Sequence, residues 1–109
     1  MRIWDLDPKK LCRNHLLAEH RELHAIWNIL TKKKKGYYHH PETLRWAGKL
    51  KALYLRHEKQ VEEMATRGYK HKSPLPIALA KGKREQEVFV DPIMTQIRIL
   101  KNKKCKCKV

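Results

Sequence analysis

Apolar residues recur at helical spacing in three stretches of this chain. Cys12, Leu16, Leu23, Trp27 and Leu30 are separated by three, four or seven positions, which predicts a helix over Pro8 to Leu30. Asp7-Pro8 reads as its N-cap and first residue, where proline's missing N–H has no consequence. His15, Glu19 and Glu22 step by four and three, so they line one edge of that stripe. A second stripe, Leu44, Ala47, Leu50, Tyr54, Val61, Met64 and Ala65, drifts in phase near His57. It predicts a helix opened by Pro41, with Glu42 in its first turn, ending at Arg67 with Gly68 at C′. Gly48 lies inside it, at about 1 kcal/mol relative to alanine, and is a candidate point of close helix–helix contact. Asp91-Pro92 repeats the cap signal ahead of a third helix to Asn102, with Ile93, Ile97 and Leu100 apolar and Met94 beside them.

The segments between these helices read as irregular. Residues 31–40 combine four lysines, a glycine and paired aromatics and histidines, a loop composition. Pro74 and Pro76 forbid regular helix in 69–90, Lys81-Gly82-Lys83 reads as a basic turn, and Val88 to Val90 as a short extended piece packed on the core. The last residues, KNKKCKCKV, are expected to fray. Trp27 and Trp46 are core candidates, and Trp4 is placed to hold Met1 by packing. The chain is thus expected to be an all-α, compact, single-domain three-helix protein with a long irregular loop before the last helix. The domain spans 1–104 and 105–109 form a basic tail.

Charge adds the partner. The 109 residues suffice for one core, and they carry 26 Lys plus Arg against 11 Asp plus Glu, a net +15. Such a body attracts polyanions and resists self-association, which points to double-stranded DNA and to a monomer. No apolar run approaches the ~18 residues of a spanning helix, and nothing near the start is shaped like a signal peptide, so no membrane and a cytoplasmic location are expected. Residues 1–30 hold five basic and four acidic side chains, 5 − 4 = +1, leaving 15 − 1 = +14 for the rest. Mixed chemistry therefore sits at the start and attraction elsewhere.

Three cysteines form no disulfide framework. Cys12 reads as a core filler, and Cys105-Lys-Cys107 is two ligands short of a metal site. His20 and His24 have the i,i+4 spacing of zinc proteases, but Arg21 stands where that motif needs its glutamate. No metal or organic cofactor is expected.

A free α-amine has a reference pKa of about 7.7–8.0, against about 10.4 for lysine. Beside Arg2 it would fall further, leaving neutral amine able to attack a deoxyribose carbon and form a Schiff base. Glu19 or Glu22 could stabilise the cation that results. Arg2 and Arg21 could clamp phosphates, and Lys33, Lys34, Tyr37 and Tyr38 offer phosphate contacts and base stacking. Each also has a plainer reading: Arg21 and Glu22 as solvated helix charge, His15 with Glu19 as a surface pair, and the lysines as a solvated loop.

Met-Arg-Ile at the start, followed after eleven residues by HLLAEHREL at 15–23, resembles the opening of the pyrimidine-dimer DNA glycosylase family. The family run is His-Leu-x-Ala-Glu-aromatic-Arg-Glu-Leu. His40-Pro41 and Arg67-Gly68-Tyr69 extend the similarity, which is strong over 1–30, weaker over 40–75 and hardly detectable beyond. The resemblance implies a helical domain whose chain terminus threads between helices into the catalytic cleft. It implies excision at ultraviolet-induced pyrimidine dimers by the α-amine, then β-elimination at the abasic site. Matched by position, Glu22 becomes the catalytic carboxylate, and Arg2, His15 and Arg21 substrate-binding residues. Family members commonly begin Met-Thr-Arg and use the threonine amine. Here Met1 occupies that position and becomes the nucleophile. Ala25 stands where an arginine is expected, and a lysine–cysteine tail replaces an aromatic one. Two alternatives remain, a non-catalytic basic DNA-binding protein of the same fold and a lyase restricted to abasic or oxidised sites.

Overall fold

Helix formation follows the apolar stripes, and helix breaks follow the local backbone chemistry. The computed structural model describes residues 2–32, 39–70, 73–103 and 105–109. Among these residues it is an all-α domain of four helices: α1 (Arg13–Lys32), α2 (Pro41–Leu44), α3 (Leu50–Thr66) and α4 (Ile93–Asn102), with short 3-10 turns at Pro8–Lys10 and Ile77–Leu79. Residues 2–6 precede them as an extended lead-in.

Each predicted helix is present, and each differs in extent for a definable reason. Asp7 does cap, accepting from the Lys9 N–H at 3.0 Å, but it caps only the 3-10 turn. Leu11 is extended after that turn, so α1 begins at Arg13 rather than Pro8. The helix predicted over 41–67 is two helices. Gly48 takes φ +73°, and the chain turns there before α3 starts. Gly48 does mark a close approach, but to Gly82 of the long loop rather than to a helix. The first N–H groups of α3 are satisfied by that loop: Lys51 and Ala52 donate to the carbonyls of Lys81 and Lys83 at 2.9 and 3.0 Å. At the other end Gly68 takes φ +79° at C′ as expected. Tyr69 N–H bonds the Met64 carbonyl at 2.8 Å and Gly68 N–H the Ala65 carbonyl at 3.0 Å, a complete Schellman motif.

Two apolar clusters flank a polar layer. Ile3, Leu23, Ile26, Trp27, Trp46, Ala52, Leu53 and Leu75 form one, so both tryptophans lie in the core. Trp4, Leu6, Leu11, Leu16, Met64 and Leu100 form the other. Between them α1 and α3 face each other through Glu19, His20, His57 and Gln60, all buried. The buried face of α3 is therefore Ala52, Leu53, His57, Gln60 and Met64, which explains the phase drift near His57: two of its five positions are polar.

Three local expectations fail, the packing of Val88 to Val90, the Asp91 cap and the frayed tail, whereas the apolar face of α4 holds. Val88, Phe89 and Val90 are exposed, because the Val88 carbonyl is held by Arg45 at 2.8 Å while their side chains face outward. On α4, Gln96 is buried and Met94 is 72% exposed, so the inward face runs through Ile93, Gln96, Ile97 and Leu100. Asp91 does not cap α4; its carboxylate pairs with Arg2 at 2.5 Å and Pro92 takes the cap position. The final residues are docked. Lys108 N–H donates to the Lys10 carbonyl at 2.7 Å, and Cys107 and Val109 lie on the Trp4 cluster. No helix among the described residues is long and apolar enough to cross a membrane.

Gly82 offers a direct check of the loop–helix junction. A Cβ there would fall 2.2 Å from the Gly48 carbonyl oxygen, at φ +92°. Gly82→Ala should lose on the order of 2 kcal/mol in urea denaturation, through backbone strain and displacement of the loop from the α3 start. Ala80→Gly, in the same loop, should lose less.

Candidate active site

The lead-in is held by buried polar side chains. Ile3, Trp4 and Asp5 present three consecutive backbone N–H groups, and each meets a side chain from a different helix. Ile3 N–H donates to Glu42 Oε1 of α2 at 3.2 Å, Trp4 N–H to Glu19 Oε1 of α1 at 2.7 Å, and Asp5 N–H to Gln96 Oε1 of α4 at 2.8 Å. The Ile3 carbonyl accepts from Arg45 Nη2 at 2.9 Å. An unpaired buried amide costs roughly 1–3 kcal/mol, so these partners determine where the segment can lie.

Arg45 completes the cradle. Its side chain is 2% exposed, and the guanidinium meets Glu42 through Nε at 2.9 Å and Nη2 at 2.7 Å, Asp5 through Nη1 at 2.9 Å, and the carbonyls of Ile3 and Val88. A buried guanidinium with its fork fully engaged is tolerable; one left short of partners is not.

Glu19 and Glu22 stand one turn apart on α1 and have different environments. Glu19 is 1% exposed. Arg56 reaches both its oxygens at 2.9–3.1 Å, and Gln60 Nε2 donates to it as well. Burial pushes its carboxyl above the ordinary value, against the pull of Arg56, Gln60 and the Trp4 N–H. Every one of those partners is an N–H donor, which suits a carboxylate and leaves an acid proton without an acceptor. Glu22 is only half-buried, and among the described residues no hydrogen bond or ion pair engages its carboxylate. Of the two, Glu19 is a structural anchor and Glu22 is available to a substrate.

The other candidate residues are dispersed around this frame. Arg2 pairs with Asp91 and stacks over the Trp4 ring, 4.7 Å from guanidinium carbon to ring centre. Arg21 is exposed on α1 beside Glu22. His15 does not pair with Glu19; its Nδ1 lies 3.2 Å from Cys12 Sγ and 3.1 Å from Cys107 Sγ. Burial, then Lys103, holds its imidazole below the ordinary value. Met1, Lys33, Lys34, Tyr37 and Tyr38 lie outside the described residues.

Three histidines join the polar layer. His24 Nε2 is 3.1 Å from His20 Nε2 and 3.2 Å from His57 Nε2. His20 Nδ1 meets Gln60 Oε1 at 2.9 Å and His57 Nδ1 meets Glu58 at 3.0 Å. These imidazoles could share protons through alternating tautomers or supply three nitrogens to a metal ion. Glu42, Arg45, Arg56, Gln60 and Gln96 were not apparent as site residues in sequence. The one local signal was Glu42 three residues before Arg45, a spacing that brings helix side chains together.

A family model described as pyrimidine dimer DNA glycosylase matches residues 1–76, which span the lead-in, α1, α2 and α3. No curated protein and no solved structure matches the chain.

The Glu19–Glu22 contrast predicts opposite behaviour on substitution. Glu19→Ala leaves the largely buried Arg56 guanidinium without its partner and should cost about 3–5 kcal/mol. Glu22→Gln should stay within about 0.5 kcal/mol of the parent. Urea midpoints of the two variants measure this.

Proposed function

The chain belongs to the pyrimidine dimer DNA glycosylase family, and from that premise we propose a DNA repair glycosylase that also cleaves the abasic strand, with the α-amine of Met1 as nucleophile and Glu22 as the catalytic carboxylate. The observation that carries this reading is the cradle under residues 3–5. Three helices each contribute a buried acceptor side chain to hold a segment with no helical or sheet hydrogen bonds of its own. The plainest use of such a cradle is to present the residue that precedes it. Ile3 shares an apolar cluster with Leu23 and Ile26, and Trp4 N–H bonds Glu19, so the segment is tied to α1, the helix that carries Glu22.

The neutral amine attacks C1′ of the damaged nucleotide, the bond from C1′ to the base breaks, and the base leaves with the electron pair and a proton. The sugar ring then opens: the nitrogen lone pair forms the C1′=N bond as the C1′–O4′ bond breaks and O4′ takes a proton, giving an iminium ion that the Glu22 carboxylate stabilises. Loss of a C2′ proton expels the 3′ phosphate, and water hydrolyses the imine to release the amine. The nucleotide must leave the base stack for its sugar to be reached. In this reading Arg21, exposed beside Glu22, and Arg2, once it exchanges Asp91 for phosphate, hold the flanking phosphates. The net charge of +15 supplies non-specific affinity for the duplex.

Borohydride added to tag-free protein and dimer-containing duplex should trap a covalent adduct through the first residue, identifiable by peptide mass. A residue fused ahead of Met1 should suppress trapping. Glu22→Gln should lower excision by at least about 100-fold while leaving duplex binding unchanged. Adduct formation at a lysine, or full excision by Glu22→Gln, would overturn the assignment. Trapping on abasic but not dimer-containing duplex would restrict the activity to the lyase.

A further inference from the structure

We propose that Cys12, His15, Cys105 and Cys107 form a structural zinc site that fastens the end of the chain to the start of α1. The two ligands that Cys105-Lys-Cys107 lacks come from about ninety residues upstream. All three cysteines of the chain meet here, and the four ligand atoms lie within 4.8 Å of one another. His15 Nδ1 faces two of the sulfurs, at 3.2 and 3.1 Å. The Cys12 backbone N–H donates to Cys107 Sγ at 3.1 Å, the kind of outer hydrogen bond that supports a thiolate ligand.

The donor set selects the metal. Zinc holds sulfur at about 2.3 Å and imidazole nitrogen at about 2.0–2.1 Å, so tetrahedral ligand atoms sit roughly 3.4–3.8 Å apart. The cluster's ligand atoms, none more than 4.8 Å from another, are within about 1 Å of that spacing. Three cysteines and one histidine make a closed set with no open position, the composition of structural zinc sites rather than catalytic ones. Soft thiolates disfavour magnesium and calcium. On binding, the three thiols lose their protons to solvent, and the site carries two positive charges against three negative.

That net negative charge answers a problem in the fold. The joined segments are both basic: Lys9, Lys10 and Arg13 on one side, and Lys101, Lys103, Lys106 and Lys108 on the other. Their repulsion opposes docking, and among the described residues a backbone–backbone hydrogen bond, Lys108 N–H to the Lys10 carbonyl, links them. An anionic zinc–thiolate centre between them turns the surrounding lysines into a favourable field. The His15 ring also stands edge-on to Trp4, 6.0 Å between centres, and Trp4 is held in turn by Glu19. A metal at this site would therefore stiffen the lead-in. In this proposal His15 acts as a ligand rather than as a substrate contact.

The test uses the full-length, tag-free chain purified under reducing conditions. Elemental analysis should find zinc. Cobalt(II) added to the stripped protein should give tetrahedral visible bands and an intense thiolate-to-cobalt band in the near ultraviolet. The His20–His24–His57 group has no sulfur and cannot produce the latter. Cys107→Ser should lose the thiolate band's full intensity and weaken zinc binding by more than about 100-fold, beyond what outer-shell changes produce. His15→Cys should retain the metal, whereas His15→Ala should not. Chelation should lower the melting temperature of the parent protein, with recovery on zinc but not magnesium, so the proposal remains testable even if a variant fails to fold. No thiolate band in the reduced parent protein, or unchanged zinc affinity in Cys107→Ser, would overturn it.

Discussion

Three adjacent amide groups, those of Ile3, Trp4 and Asp5, tie the protein together. Each donates to a buried side chain on a different helix, so the lead-in is the common partner of α1, α2 and α4. The arrangement binds in both directions. The helices locate the lead-in, and the lead-in's N–H groups help satisfy carboxylates and an amide that would otherwise sit in the core short of donors. Desolvated groups of this kind contribute little net stability. Their consequence is positional: few other placements of the segment would leave all of these groups paired.

The same logic divides the interior. Two apolar clusters supply most of the burial that drives folding, and the layer between them carries Glu19, Arg56, Gln60 and the three histidines. In such a layer a lost partner costs more than a lost methylene, because the remaining polar atom stays dry. Glu19 belongs wholly to that layer. Glu22, one helical turn further on, lies at its edge and keeps contact with solvent. One helix thus presents a buried, fully engaged carboxylate and a half-buried, open one, and burial separates them.

Much was legible from residue order alone. Periodic apolar spacing located α1, α3 and α4, because helix side chains repeat every 3.6 residues whatever surrounds them. The Gly68 stop was legible because the left-handed backbone at a helix end favours glycine wherever it occurs. The HLLAEHREL run pointed to the family that the match over 1–76 then showed. Net charge pointed to a polyanionic partner, since charge is a sum and needs no fold.

The tertiary structure decided what depends on pairing across distance. Glu42, Arg45 and Gln96 read as ordinary helix-surface residues until the lead-in passes beneath them. His57 and Gln60 read as a fault in an apolar stripe, because periodicity detects hydrophobic burial and not a buried hydrogen bond. Gly48 broke a predicted helix through its contact with Gly82, thirty-four residues away in the chain. Cys12 and His15 became neighbours of Cys105 and Cys107 only when the tail folded back. Local order records each residue's own preference, whereas a site made by convergence exists only once the chain has closed on itself.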